Sequence, residues 1–336
     1  MAISSWMMAA LKTLSYADID VKENYRLARA LHKLVHPTPK LRGKVWDHAV
    51  TVNGYELTVR VFKPKELRSR ELLLFFHGGG WVTGSVESYT KTCADLSNFT
   101  NRRVLSLNYR LAPEFPFPFA LEDCYQVTKA LHRFTHSGEI SDMARLSGVN
   151  AADIQPGDPV TLIGDSAGGN LAAAVSLLAA ERGEFQVARQ ILLYPLTHND
   201  HSENTPFPSV LENGTGFLLT SKRVNDYMEL YIRDDADRAS PYLAPLLSDN
   251  LRGQPQTLII TAEYDPLRDE GEAYGQKLRC FGNRASVVRM TDTLHGFFSL
   301  PFRFQKVRRC YSIIKAFLNG RTFDDFALDE SLKIKH

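Results

Sequence analysis

Gly164-Asp165-Ser166-Ala167-Gly168 is a GxSxG pattern. A serine hydroxyl becomes a nucleophile when a neighbouring base takes its proton. A bare GxSxG arises often by chance, so its surroundings decide. Val160–Ile163 before it reads as a strand, and the small-residue run from Ala167 to Ala174 opens a helix. A serine on a strand-to-helix turn is a nucleophile elbow. The turn is strained, and side chains at 164 or 168 would clash where helix passes over strand. Ser166 would sit at the helix N-terminus, where the backbone dipole favours developing negative charge.

A second motif supplies the complement. Leu72–Phe76 runs into His77-Gly78-Gly79-Gly80-Trp81. Three glycines after a strand leave backbone N–H groups free to point at a ligand. In this architecture such a loop donates to the oxyanion of a tetrahedral intermediate. The expected donors are Gly79 and Gly80, joined by Ala167, with Gly78 as a further candidate. His77 reads as a hydrogen-bonding prop of the loop.

The remaining partners must follow in the order serine, acid, histidine. Asp265 lies just past the strand Thr257–Thr261, where an orienting carboxylate belongs, with Glu263 as its local rival. Asp269 and Glu270 fall at the next helix start, where acids cap helices. His295 follows the strand Ser286–Arg289, with Gly296 allowing a tight turn. Of the other nine histidines, His198 and His201 lie in an insertion, His336 lies in the tail, and the rest precede Ser166.

These residues need a scaffold. Strand candidates at 72–76, 104–107, 160–163, 190–194, 257–261 and 286–289 alternate with helix candidates near 88–99, 119–134, 167–182, 270–281 and 303–319. That alternation implies βαβ units and a mainly parallel sheet buried on both faces. Val50–Val52, Asn53-Gly54 and Leu57–Phe62 read as a hairpin. Residues 1–45 read as helical. Residues 198–240 interrupt the alternation with a helix at 221–232, above the carboxyl ends of the strands, where ligands bind. They read as a lid. Residues 136–158 form a polar spacer, and the stretch after Gly320 reads as a loosely ordered polar tail.

The composition fits an ordinary globular enzyme. The chain has 336 residues, 44% of them hydrophobic, which is too apolar for intrinsic disorder. Its net charge of +2 gives no electrostatic reason to expect nucleic acid. No apolar run approaches the ~20 residues of a membrane span. The N-terminus lacks the basic region and cleavage site of a signal peptide. Cys93, Cys124, Cys280 and Cys310 show no metal-ligand spacing, so they read as buried free thiols in a reducing cytoplasm.

Together HGGGW, YRLAPEFPFP (Tyr109–Pro118), GDSAGGN (Gly164–Asn170), DPLRDE (Asp265–Glu270) and HGF (His295–Phe297) resemble the hormone-sensitive-lipase family of α/β-hydrolases, in its bacterial esterase branch. The resemblance spans about residues 45–320. It implies an eight-stranded mixed sheet, a helical cap built from 1–45 and 198–240, and a catalytic domain from 46–197 and 241–320, followed by the tail 321–336. It also implies carboxylester hydrolysis by Ser166, Asp265 and His295 with no cofactor and no metal, on a small-molecule ester of short-to-medium acyl chain. Tyr109–Pro118 would support the oxyanion loop. Trp81, Phe207, Val210, Leu211, Phe217 and Leu218, with Trp6, Met7 and Met8, are candidates for an apolar substrate pocket, against the blander reading that they pack cap on body. Pairing of the 286–289 edge and the helix from 303 into a homodimer is a family-level expectation. An amidase or peptidase uses the same triad. A non-catalytic small-molecule receptor on this fold loses the histidine, which is present here. A covalent serine probe separates an active site from a fossil one.

Overall fold

The computed structural model describes residues 20–35, 43–137, 156–324 and 327–332. Trp6, Met7 and Met8, and most of the 136–158 spacer, lie outside them. Nine strands form one sheet in the order β1-β2-β4-β3-β5-β6-β7-β8-β9. β1 (Lys44–Val52) and β2 (Tyr55–Lys63) form the hairpin, closed by Asn53 and Gly54, both at positive φ. β2 pairs antiparallel with β4 (Arg103–Asn108), and every later pairing is parallel. β3 (Leu72–Phe76) and β5 (Val160–Asp165) lie at the centre, with β6 (Arg189–Leu193), β7 (Gln256–Tyr264) and β8 (Ala285–Leu294) beyond. The architecture is a mostly parallel sheet with an antiparallel hairpin at one edge, as the strand and helix alternation implied.

The near-continuous apolar strands follow from burial on both faces. On β3, Leu72, Leu74 and Phe76 join one core cluster, while Leu73 and Phe75 join the other. The first cluster includes residues of α3 (Phe119–Ser137), α4 (Ala167–Arg182) and α7 (Arg268–Cys280). The second includes residues of α2 (Thr90–Thr100) and α8 (Gln305–Leu318). Residues 167–179 of α4 are all buried, and their small side chains let this helix lie close on β5 and β6.

Between β6 and β7 the insertion carries α5 (Pro208–Asn213) and α6 (Ser221–Tyr231). α6 packs against α1 (Val21–Val35), so the N-terminal helix and the insertion meet.

Four expectations need correcting. The sheet has nine strands, because β9 (Ala327–Leu328) adds to the β8 edge. The stretch after Gly320 is therefore partly packed: Phe323 and Asp329 are buried, and Asp329 accepts from Thr291 N–H at 2.9 Å and pairs with Lys306. The edge expected to pair between subunits is met at Val288 and Arg289 by this chain's own β9. Cys280 is exposed, unlike the other three thiols, because it ends α7 on the surface.

Candidate active site

Ser166 sits between β5 and α4 with φ 53° and ψ −121°, a conformation costly for a residue with a side chain. Two glycines make the turn possible. A Cβ on Gly164 would lie 2.2 Å from Gly168 O, and one on Gly168 would lie 2.0 Å from Phe76 O. The Ser166 amide donates to Leu193 O at 2.9 Å, fixing the turn to β6.

His295 follows β8, and Gly296 beside it takes φ 79°, the tight turn expected there. His295 Nε2 lies 2.9 Å from Ser166 Oγ, and Nδ1 lies 2.7 Å from Asp265 Oδ2. Asp265 is buried, and its Oδ1 accepts from Leu267 N–H at 2.9 Å. A carboxylate accepts only, so the imidazole donates from Nδ1 and Nε2 is left to receive the serine proton. Tyr194 flanks the imidazole, with ring centroids 4.8 Å apart.

The rival acids are engaged elsewhere. Glu263 accepts from Asp292 N–H at 2.7 Å. Asp269 and Glu270, expected to cap α7, reach across to the insertion. Asp269 accepts from Ser209 N–H, and Glu270 accepts from Thr197 and His198 N–H and bonds His201 at 2.6 Å, with both side chains of that pair fully buried.

In the HGGG loop, Gly79, Gly80 and Trp81 have φ of 119°, 61° and 59°. Among the described residues no acceptor pairs with the N–H of Gly79 or Gly80. Gly78 differs. Its N–H donates to Asp165 Oδ1 at 2.8 Å, so it is spent inside the protein and is not an oxyanion donor as expected. The His77 imidazole bonds Gly78 O at 3.0 Å and stacks on Tyr109 with centroids 4.3 Å apart. Tyr109 donates to His77 O at 2.6 Å and Ala112 N–H to Trp81 O at 2.9 Å, so the Tyr109–Pro118 segment does underlie the loop.

A cavity of about 250 Å³ opens beside Ser166, lined by the glycine loop, Leu196, Leu218, Leu219, Arg223, Val224, Tyr227, Leu267 and His295. Of the substrate-pocket candidates, Trp81 and Leu218 line it. The Trp81 side chain is buried and stacks on Tyr231 at 4.4 Å, so it holds the loop more than it contacts the space. Phe207, Val210 and Phe217 are elsewhere. Phe207 packs on His198 and Phe217 on Tyr264. Val210 and Leu211 face a separate cavity of about 500 Å³ within the insertion, which does not include Ser166. The larger space reaches neither Ser166 nor His295, so volume alone does not mark the site. Sequence reasoning missed Leu219, Val224 and Tyr227. Leu219 lies just before α6, and the helical spacing that announced α6 does not tell which side of it, the one carrying Val224 and Tyr227, faces Ser166.

Residues 73–299 match the family model described as alpha/beta hydrolase fold. The chain belongs to the α/β-hydrolases, among the hormone-sensitive-lipase-like esterases. It is 33% identical over 287 residues to an arylesterase of Saccharolobus solfataricus, covering 85% of each chain. It is 35% identical over 288 residues to the carboxylic ester hydrolase LipN of Mycobacterium tuberculosis, covering 84% of this chain and 72% of the relative. A hyperthermophilic esterase from Pyrobaculum calidifontis superimposes with TM-score 0.78 at 32% identity, over 94% of this chain and 97% of that one. This α/β-hydrolase is thus an enzyme, a carboxylic ester hydrolase. Among its described residues no group of three or more His, Cys, Asp or Glu side chains is placed to hold a metal ion. No helix among them is long and apolar enough to cross a membrane.

Proposed function

We propose that this hydrolase is a serine carboxylesterase for short-to-medium acyl esters, with Ser166 as nucleophile, His295 as general base and acid, and Asp265 orienting the imidazole. The observation that carries this reading is the unbroken chain from Asp265 through His295 to Ser166 Oγ at 2.7 and 2.9 Å, opening on an apolar cavity. His295 takes the Ser166 proton as Oγ bonds the ester carbonyl carbon. The Gly79, Gly80 and Ala167 N–H groups hold the resulting oxyanion. The tetrahedral intermediate collapses, the bond to the alcohol oxygen breaks, and His295 protonates the leaving alcohol. Water, deprotonated by His295, then attacks the acyl-enzyme, and carboxylic acid leaves.

Acyl length follows from the walls. The cavity holds about 250 Å³, and Leu218, Leu219, Val224 and Tyr227 close it from the insertion side. We read 1–45 with 198–240 as a cap over a catalytic domain of 46–197 and 241–320, supported by the packing of α1 on α6. Four unpaired thiols support a reducing, cytoplasmic setting. The test is initial-rate hydrolysis of p-nitrophenyl esters from acetyl to palmitoyl by wild type and Ser166→Ala. A short-chain preference abolished by the substitution is expected. Folded wild type that turns over no ester, while cleaving anilides, overturns the esterase reading in favour of an amidase.

A further inference from the structure

Asp165 directly precedes the nucleophile, is buried, and takes no part in the triad. Burial is costly for this carboxyl and pushes its pKa up to about 6, although the Tyr89 hydroxyl, the Gly78 amide and His295 all favour the charged form. Both of its oxygens are in use. Oδ1 accepts from Gly78 N–H at 2.8 Å, and Oδ2 accepts from the Tyr89 hydroxyl at 2.8 Å. Tyr89 is held in turn: its ring lies against Phe75 and His77, and its amide donates to Ser85 O.

We propose that Asp165 and Tyr89 are positioning residues for ester hydrolysis, which lock the HGGG loop to the nucleophile turn and so aim the Gly79 and Gly80 N–H groups at the substrate oxygen. This rests on the esterase reading above. Three observations support it. Asp165 belongs to β5 immediately before Ser166, so the Gly78 bond joins the two halves of the site directly. The contact has no slack, since a Cβ on Gly78 would lie 2.7 Å from Asp165 Oδ2 and 2.9 Å from the Tyr89 hydroxyl. The residues that follow are two glycines, whose backbones have wide conformational freedom and need an external anchor. An oxyanion hole works through preorganisation, and a shift of about 1 Å costs on the order of 10²-fold in rate. Both residues border the cavity, but the Asp165 carboxylate bonds Gly78 and Tyr89 rather than Ser166 or His295. They act through Gly78.

The test compares Tyr89→Phe, Asp165→Ala and Asp165→Asn with wild type, by p-nitrophenyl butyrate kinetics and by the rate at which a fluorophosphonate labels Ser166. Labelling builds negative charge on an oxygen in the same hole, so it reads the hole without requiring turnover of an ester. We expect Tyr89→Phe to lower kcat about 3- to 10-fold with KM within about twofold. Asp165→Ala should lower kcat about 10²-fold. Asp165→Asn should recover most of that loss, because the amide oxygen still accepts from Gly78 N–H while the amide nitrogen donates to the Tyr89 hydroxyl. Labelling should slow in the same order. Wild-type kcat in Tyr89→Phe, losses confined to KM, or Asp165→Asn as slow as Asp165→Ala would overturn the proposal. Should Asp165→Ala not fold, the other two variants decide. Wild type that labels at Ser166 but hydrolyses no ester refutes the esterase reading, and the labelling rates still judge the brace.

Discussion

The Tyr227 ring lies directly over Gly80, so close that a Cβ on Gly80 would sit 2.3 Å from the ring carbon Cγ. Tyr227 comes from α6 in the insertion and Gly80 from the oxyanion loop. One aromatic ring therefore both walls the substrate cavity and presses on the backbone expected to stabilise the transition state.

Gly80→Ala should reduce kcat with p-nitrophenyl butyrate by about 10²-fold or more, the typical effect of losing one oxyanion donor. The methyl meets the Tyr227 ring, and φ of 61° is itself unfavourable for alanine. Adding Tyr227→Ala removes the clash but not the backbone strain. The double variant should regain part of the activity, and strict additivity of the two losses would show that ring and glycine are uncoupled.

Tyr227→Ala alone should shift the optimum acyl length of the p-nitrophenyl series upward. The ring is a wall of the 250 Å³ cavity, and its removal opens space toward α6. An unchanged chain-length profile would place the acyl group against another wall.

Asp165 makes stability depend on pH. Its folded pKa of about 6 lies above the ordinary value of 3.8 because the site is buried. Between these values the unfolded chain releases its proton first, so wild type loses stability as pH rises from about 4 to 6. Asp165→Asn carries no such term, and Tyr89 and His295, which face this group, are present in both proteins. The melting temperature of the variant relative to wild type should therefore climb across that window and level off above it. The gain is at most about 3 kcal/mol, from some two pKa units. A flat difference between pH 4 and 8 would contradict it.

His201→Ala should destabilise the enzyme by about 3 kcal/mol in urea unfolding, the usual cost of removing one partner of a fully buried pair. Glu270 helps join the insertion to α7, through His201 and His198, and also accepts from Thr197 N–H. The same substitution should lower kcat less than tenfold, since His201 lies outside the cavity around Ser166. A loss of activity without a loss of stability would give His201 a different role.

Removing residues 322–336 should promote self-association. β9 satisfies the β8 edge at Val288 and Arg289, and Asp329 accepts from Thr291 N–H beyond it. A stripped edge presents unpaired donors and acceptors to a second copy. Light scattering after gel filtration reads the change. Unaltered mass would show that the edge stays silent without its cover.

Local chemistry made much of the site legible. Residues such as Gly164, Gly168 and Gly296 stand where no side chain fits or where the backbone must wind left-handed, so their spacing marks the turns that carry Ser166 and His295. Apolar strands between turn signals placed β3 to β7 within a few residues, because burial on both faces leaves little choice of residue, while β8 runs five residues past the expected 286–289. The misread residues share one property. Gly78 looks like Gly79 and Gly80 in one dimension, but Asp165, 87 residues later, takes its amide. Asp269 and Glu270 do fall in the first turn of α7, but partners about 60 to 70 residues earlier also claim their carboxylates.

The sequence by itself determined the strand-turn-helix around Ser166, the order of its acid and histidine partners, the glycine loop and the alternation that makes a parallel sheet. Each is set by short-range sterics and periodicity. Only the tertiary structure decided which amide is spent on Asp165, which face of α6 meets Ser166, and what covers the β8 edge. Those outcomes depend on side chains meeting across long sequence separations, where distance and direction are fixed by packing and no local pattern encodes them.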